Sequence, residues 1–116
     1  MPYVSCVTSQ NLTGRAEEEF KAGVARALAE VAGKPEEYLF VSIEAGQTLF
    51  IRGQRLPGAV IRVSLIGSLS SAQKQEITSR LCRLCQDQFG LPGDAVYVIF
   101  EPVSAGDWGW NGRLFG

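Results

Sequence analysis

Histidine is absent from this chain of 116 residues, and its absence removes several classes of enzyme at once. Hydrolysis by a serine or cysteine paired with a histidine base is excluded, and so are metal sites built on imidazole. Cysteine is scarce as well: Cys6, Cys82 and Cys85 make an odd number. An odd number argues against a disulfide framework and favours free thiols in a reducing compartment. We therefore expect no disulfides, no metal and no histidine-dependent catalysis.

Neither sign of charge dominates, since 11 Lys and Arg stand against 12 Asp and Glu for a formal net charge of -1. No stretch concentrates basic residues enough to follow a phosphate backbone, so we predict no nucleic-acid partner. Long apolar runs and a signal peptide are also lacking, so we predict no membrane partner. The expected location is the cytosol, with export without a signal peptide as the alternative. A hydrophobic content of 46% is ample for one domain over residues 1–116.

Two copies of one unit make up most of the chain. Sliding the sequence along itself until Gly33 falls on Gly90 also aligns many residues of similar type. The two copies cover about residues 2–46 and 59–102. Aligned pairs include Val4 with Ile61, Phe20 with Ile77, Val24 with Leu81 and Val41 with Val98.

Each copy is predicted to form a strand, a helix and a second strand. The first helix is capped by Thr13 and the second by Ser70 or Ser71, and a glycine ends each helix. Apolar residues recur along each helix at the spacing of a single buried stripe. The predicted strands cover residues 2–8, 38–44, 59–66 and 95–101.

These elements predict an α/β fold. A strand that returns through a helix lies parallel to its predecessor, so two units give a four-stranded mixed sheet. Two helices with one apolar stripe each are expected to cover one face of that sheet. Because the strands also carry apolar residues on the other face, we expect the protein to associate with copies of itself.

The first two residues, Met1 and Pro2, suggest a chemical function. Removal of Met1 would leave Pro2 as a free secondary amine, a candidate base, although proline often follows an initiator methionine without any such role. Lys34 would supply the cation that lowers the pKa of this base and binds an acidic substrate; the simpler alternative is a solvated cation at a helix end. In the repeat Pro2 aligns with Ala59 and Lys34 with Leu91, so the two candidates distinguish the first unit from the second.

Five short motifs carry a resemblance to a known family. In chain order they are Met1-Pro2, Gly33-Lys34-Pro35, Leu65-Ile66-Gly67, Val96-Tyr97 and Trp108-Gly109-Trp110-Asn111-Gly112. Over essentially the whole length, the chain resembles the macrophage migration inhibitory factor family of the tautomerase superfamily. The resemblance implies a homotrimer with sites at subunit interfaces, edge strands near 49–53 and at the C-terminus, and no cofactor.

The implied reaction is keto-enol tautomerisation of aromatic α-keto acids such as phenylpyruvate. Pro2 would move the proton as the catalytic residue, while Lys34 and the backbone amide of Ile66 would hold the substrate carboxylate. Tyr97 from a neighbouring subunit would shape the aromatic subsite. Tyr3, Trp108 and Phe115 would complete an aromatic enclosure, with Trp110 in a structural role.

The chain departs from the animal members of that family at several places. Ile99 replaces an asparagine that can bind a ring hydroxyl, so a preference for hydroxylated rings is not implied. Arg52 or Arg55 would add a second cation near the pocket or, as we favour, face water. The redox cysteines of the animal proteins are missing, and the pair Cys82 and Cys85 is expected to be buried on the second helix without a redox role.

A second class of function stays open beside the enzyme. The protein could act as a cytokine-like signalling protein that binds a receptor, with a weak or vestigial tautomerase site. The resemblance is compatible with both classes.

Overall fold

Two β-α-β units and two short hairpins build the fold, which we describe for residues 1–116 from a computed structural model. Three short 3₁₀ turns lie at Glu36–Tyr38, Gly93–Ala95 and Ala105–Asp107. In chain order the main elements are β1 (Pro2–Thr8), α1 (Gly14–Ala32), β2 (Phe40–Glu44), β3 (Phe50–Ile51), β4 (Gln54–Arg55), β5 (Ala59–Ile66), α2 (Ser71–Phe89), β6 (Val96–Val103), β7 (Gly109–Trp110) and β8 (Arg113–Leu114).

The two helices begin and end as their sequences predict. The side chain of Thr13 accepts a backbone N–H of the first turn of α1, and Ser70 forms a reciprocal capping box with Gln73 at the start of α2. Gly33 and Gly90 end the helices with φ angles of 65° and 67°, in the left-handed region that favours glycine. No helix in the fold combines the length and the apolar character that a membrane span requires.

The second strand of each unit begins later than predicted. β2 starts at Phe40 rather than at residue 38, and β6 starts at Val96 rather than at residue 95. In both units a 3₁₀ turn follows the proline that comes after the helix, and its hydrogen bonds occupy the residues in question. Tyr38 and Leu39 are apolar like the residues of β2, so the sequence pattern predicts a strand that begins two residues too early.

The main sheet has the strand order β2-β1-β5-β6. Strands within a unit are parallel, as predicted, and the two units meet where β1 pairs with β5 in the antiparallel direction. Pro2 lies opposite Leu65, and Thr8 lies opposite Ala59. The predicted four-stranded mixed sheet with two helices is confirmed.

Both helices pack on one face of this sheet and bury the core between them. Phe20 of α1 and Phe89 of α2 stack with ring centroids 5.1 Å apart. Each large apolar side chain that is fully buried contributes about 1.5–3 kcal/mol to folding. Other members of the core are Val4 and Cys6 of β1, Ile61, Val63 and Leu65 of β5, Val24 and Leu28 of α1, and Ile77 and Leu81 of α2.

The opposite face of the sheet is open in the single chain. Tyr3, Phe40 and Tyr97 belong to three different strands, and all three are exposed; Phe40 is 69% and Tyr97 70% exposed. Large aromatic side chains on an uncovered sheet face are typical of a surface that binds another protein.

Candidate functional site

Strand pairing brings three of the predicted site residues to one edge of the sheet. Pro2 begins β1 opposite Leu65, so Ile66, the last residue of β5, lies at the same edge. β2 runs parallel to β1, and the segment that leads into β2 therefore reaches this edge as well. That segment contains Lys34. Pro2, Lys34 and Ile66 thus come from separate elements to one place, which we call the proline edge.

The electrostatics of the chain terminus agree with this arrangement. Pro2 is fully buried. The pKa of the Met1 α-amino group lies below its ordinary value of 8.0, first because the group is partly buried and second because Lys34 carries a positive charge nearby. Both effects favour the neutral form of an amine at this end of the chain. A neutral amine beside a cation is what a base for an acidic substrate requires.

Lys34 and Ile66 are positioned by backbone hydrogen bonds at the ends of their elements. The Lys34 N–H donates to the carbonyl of Leu28 at 3.0 Å, which fixes the backbone where α1 ends. Ile66 aligns with Val103 of β6, and the next N–H, that of Gly67, donates to the Val103 carbonyl at 3.0 Å. Both side chains are half-buried.

The C-terminal aromatic residues also start from the proline edge, because β6 ends there at Val103 beside Ile66. The Phe115 N–H donates to the carbonyl of Trp108 at 3.0 Å. The ring of Phe115 stacks on Trp110 with centroids 6.2 Å apart. Trp108 is half-buried, while Phe115 and Trp110 are exposed. The C-terminal hairpin of β7 and β8, which follows β6 where that strand ends at the proline edge, therefore carries these aromatic rings.

Tyr3 does not face the same way as Pro2, although the two are neighbours in sequence. Side chains alternate along a strand, so Pro2 faces the core and Tyr3 faces the open side of the sheet. There the Tyr3 hydroxyl lies 2.8 Å from the hydroxyl of Ser42. Within one chain, Tyr3 thus belongs to the open face rather than to the surroundings of Pro2.

Tyr97 lies at the other end of the sheet from Pro2. It aligns with Val60 of β5, whereas Pro2 aligns with Leu65, and five residues of strand separate these two positions. At the usual rise of a strand this distance is about 17 Å. A single chain therefore cannot place Pro2 and Tyr97 against one small substrate.

The exposed side chain of Tyr97 lines an apolar cavity of about 250 Å³. Arg52, in the turn between β3 and β4, and Asp94 stand at this cavity, with Arg52 Nη1 4.0 Å from Asp94 Oδ2. Arg55 points elsewhere and donates to the Thr48 hydroxyl at 3.2 Å. Of the two arginines, only Arg52 lies beside a residue of the predicted site. The apolar lining includes Leu49, Phe50, Ile51, Ala59, Val60 and Ala95.

One aromatic residue near the proline edge was not predicted from the sequence as a site residue. Tyr38 lies in the 3₁₀ turn between Lys34 and β2 and is exposed. The signal that identifies it is an aromatic residue four positions after Lys34, in a segment whose composition predicts a strand.

A larger depression, about 430 Å³, lies between the outer surfaces of α1 and α2, away from the proline edge. Its lining is charged, and Arg80 donates to Glu30 at 2.7 Å and to Glu76 at 3.1 Å. These hydrogen bonds raise the pKa of Arg80. Arg80 and its two carboxylate partners thus form an exposed ion-pair network that links the two helices.

The three thiols lie in or beside the core. Cys6 and Cys85 are buried, and Cys82 is half-buried. Burial raises the pKa of Cys6 to about 12 and raises the pKa of Cys82 and Cys85 as well. Thiols in this state are protonated and unreactive at neutral pH. The predicted burial on the second helix holds fully for Cys85 and partly for Cys82.

The fold and the proline edge define a class of protein: a two-layer α/β sandwich built from two β-α-β units, with a proline at the second position of the chain and a lysine at the same end of the sheet. The family model described as macrophage migration inhibitory factor (MIF) matches residues 1–116. The chain therefore belongs to the macrophage migration inhibitory factor family, as the sequence motifs suggested.

Individual relatives agree with this assignment. Macrophage migration inhibitory factor of Mus musculus is 31% identical over 84% of this chain and 85% of its own length. The crystal structure of a homologue from Prochlorococcus marinus has a TM-score of 0.90 at 32% identity, covering 98% of this chain and 99% of that one. A fused 4-OT protein, described as a symmetric trimer, shares the fold with a TM-score of 0.86 at 19% identity, covering 97% and 94% of the two chains.

Proposed function

We propose that the protein is a keto-enol tautomerase for phenylpyruvate-like aromatic α-keto acids. The observation that carries this proposal is the proline edge, where Pro2 is fully buried and the positive charge of Lys34 helps to lower the pKa of the Met1 α-amino group next to it. Membership of the macrophage migration inhibitory factor family supports it. The reaction moves one proton and needs neither an electron acceptor nor a cofactor.

In the proposed mechanism, the catalytic group is the nitrogen of Pro2 after removal of Met1. The neutral amine takes the proton from the carbon next to the keto group, and the proton is then delivered to the oxygen as the enol forms; the reverse direction uses the same two steps. Lys34 and the backbone N–H of Ile66 bind the substrate carboxylate. The positive charge of Lys34 has a second role, because it keeps part of the Pro2 amine neutral.

We propose a homotrimer in which Tyr97 of one subunit completes the site at Pro2 of the next. Two features support it: the separation of Tyr97 and Pro2 within one chain, and the aromatic side chains on the open sheet face. The fused 4-OT relative is described as a symmetric trimer. Trp108 and Phe115 are proposed to enclose the ring of the substrate, joined by Tyr3 from the open sheet face of the neighbouring subunit. Ile99, half-buried on β6, gives that ring no hydrogen-bond partner.

The test compares two forms of the same chain. Intact mass spectrometry separates protein with Met1 from protein without it, and tautomerisation of phenylpyruvate is followed by ultraviolet absorbance on each form. We expect activity only after Met1 removal, because an acylated proline nitrogen has almost no basicity. A Pro2→Gly variant serves as a second comparison, and circular dichroism and native mass establish that it remains folded and trimeric. Full activity of the form with Met1, or of this variant, would contradict the mechanism.

A second candidate function is that of a signalling protein that binds a receptor. It is favoured by the relatives named macrophage migration inhibitory factor, among them the protein of Mus musculus. Binding to a receptor whose affinity is the same for the parent and for Pro2→Gly would support this candidate. A fully active tautomerase without a measurable protein partner would argue against it.

A further inference from the structure

The cavity beside Tyr97 is lined by the guanidinium group of Arg52, and its nearest carboxylate lies too far away for a hydrogen bond. Arg52 Nη1 lies 4.0 Å from Asp94 Oδ2, which is longer than a hydrogen bond, and the two side chains are 61% and 74% exposed. An ion pair of this kind contributes little to stability. Arginine has five N–H donors in a planar fork that matches a carboxylate. Arg52 is therefore available to bind a ligand at this cavity.

The backbone angles at Arg52 indicate that an arginine at this position is not explained by the needs of the turn. Arg52 and Gly53 form the tip between β3 and β4 with φ angles of 53° and 76°. The tip between β7 and β8 has almost the same angles, 53° and 77°, and there the chain uses Asn111 and Gly112. Asn-Gly is the preferred pair for such a turn, whereas a long side chain in the left-handed region is unfavourable. The chain thus accepts an unfavourable backbone at Arg52, which points to a use for its side chain.

We propose that Arg52 makes the enzyme select 2-oxo acids that carry a second carboxylate at the end remote from the keto group. The inference rests on the proposed function, in which the cavity beside Tyr97 completes the Pro2 site of a neighbouring subunit. Lys34 then holds the carboxylate next to the reacting carbon, and Arg52 holds the distal one. The apolar walls between them accept the ring or chain that joins the two groups.

The presence of Asp94 beside Arg52 lets the proposal predict in which direction each substitution changes ligand affinity. Its carboxylate is the resident counter-ion of Arg52, so a carboxylate of the substrate has to compete with it. Replacing Asp94 by asparagine should strengthen binding of a distal carboxylate, and replacing Arg52 should weaken it. If the pair instead bound a neutral hydroxyl group, with Arg52 donating and Asp94 accepting, both replacements would weaken binding.

The experiment compares four proteins: the parent, Arg52→Asn, Asp94→Asn and, as a matched control, Arg55→Asn. The kcat/KM of each is measured with 4-carboxyphenylpyruvate, 4-hydroxyphenylpyruvate and phenylpyruvate. Relative to phenylpyruvate, Arg52→Asn should lose roughly tenfold for the carboxylated substrate, the size expected for one charge-assisted hydrogen-bonded contact. Asp94→Asn should gain, and Arg55→Asn should match the parent. Arg52→Asn also creates the preferred Asn-Gly turn, so it should not unfold at a lower temperature than the parent.

Calorimetric titration with inert acids separates this inference from the proposed function. The probes are 3-(4-carboxyphenyl)propionate and 3-phenylpropionate. Discrimination between the two probes that depends on Arg52 would support the inference even in a protein without turnover, an outcome that would overturn the proposed function alone. The inference would be overturned if the protein turns over phenylpyruvate but the ratio of its affinities for the two probes is the same in the parent and in Arg52→Asn. A lower relative kcat/KM for the carboxylated substrate in Asp94→Asn would overturn it as well.

Discussion

Subunit complementation tests whether Pro2 and Tyr97 act together across an interface. One partner carries a residue permanently joined to the Pro2 nitrogen and keeps Tyr97, while the other has a free Pro2 and the substitution Tyr97→Ala. Along β5 the two positions are about 17 Å apart within a chain. Neither partner alone has a complete site. We expect the first to be inactive and the second to lose on the order of tenfold to a hundredfold in rate, since misplacing a substrate has such effects.

Mixing the two partners should restore activity by a calculable amount. After joint unfolding and refolding at equal concentrations, a site is complete when its Pro2 comes from the second partner and its Tyr97 from the first. For random assembly into a three-fold ring this holds for about one quarter of all sites. Phenylpyruvate turnover should therefore reach about one quarter of the parent value at a 1:1 ratio and fall on either side of it.

The reasoning would be refuted by mixed trimers, identified by native mass spectrometry, that show no more activity than the sum of their separate partners. Such a result would mean that Tyr97 has no part in the site of a neighbouring subunit. Refolding of each partner alone provides the control for losses during the procedure.

Three further predictions concern the terminal amine, a buried hydroxyl and the thiols. In Lys34→Met the acidic limb of kcat/KM should move to higher pH. The Lys34 charge is, after burial, a cause of the lowered pKa of the Met1 α-amino group, we expect the same charge to act on the Pro2 amine once Met1 is removed, and the base works unprotonated. Lys34→Arg should keep the limb, and an unmoved limb in Lys34→Met would contradict the coupling. Thr8→Val should lower the free energy of unfolding in urea by about 1–2 kcal/mol, because the fully buried hydroxyl donates to a backbone carbonyl at 2.8 Å. Thr8→Ser keeps the hydroxyl donor, so its free energy of unfolding should fall by less than that of Thr8→Val. Equal decreases in the two variants would argue against the hydrogen bond. Cys6 and Cys85 should resist a thiol reagent at pH 8 in folded protein, because burial raises their pKa, and should react once urea unfolds the chain; rapid labelling of the folded protein would show that the core opens.

The helices were predictable because their signals are local. α1 begins at the Thr13 cap and ends at Gly33, and the hydrogen bonds and the backbone angle that define these ends involve only nearby residues. The same holds for the end of α2 at Gly90. The start of β2 was predicted less well, since Tyr38 has the composition of a strand residue while it belongs to a 3₁₀ turn, and the N–H of Leu39 donates to the Glu36 carbonyl of that turn. Strand propensity depends on neighbours that are distant in sequence, so a short segment does not fix its own boundary.

For the candidate site, the sequence by itself determined which chemical groups are present. It supplied a proline at the second position, a lysine after the first helix, and no histidine to act in their place. The tertiary structure decided where these groups meet. The antiparallel pairing of β1 with β5 brings Pro2 to the end of β5 and leaves Tyr97 at the other end of the sheet. Pairing between units links residues far apart in the chain, and such contacts depend on how the whole sheet packs rather than on local sequence.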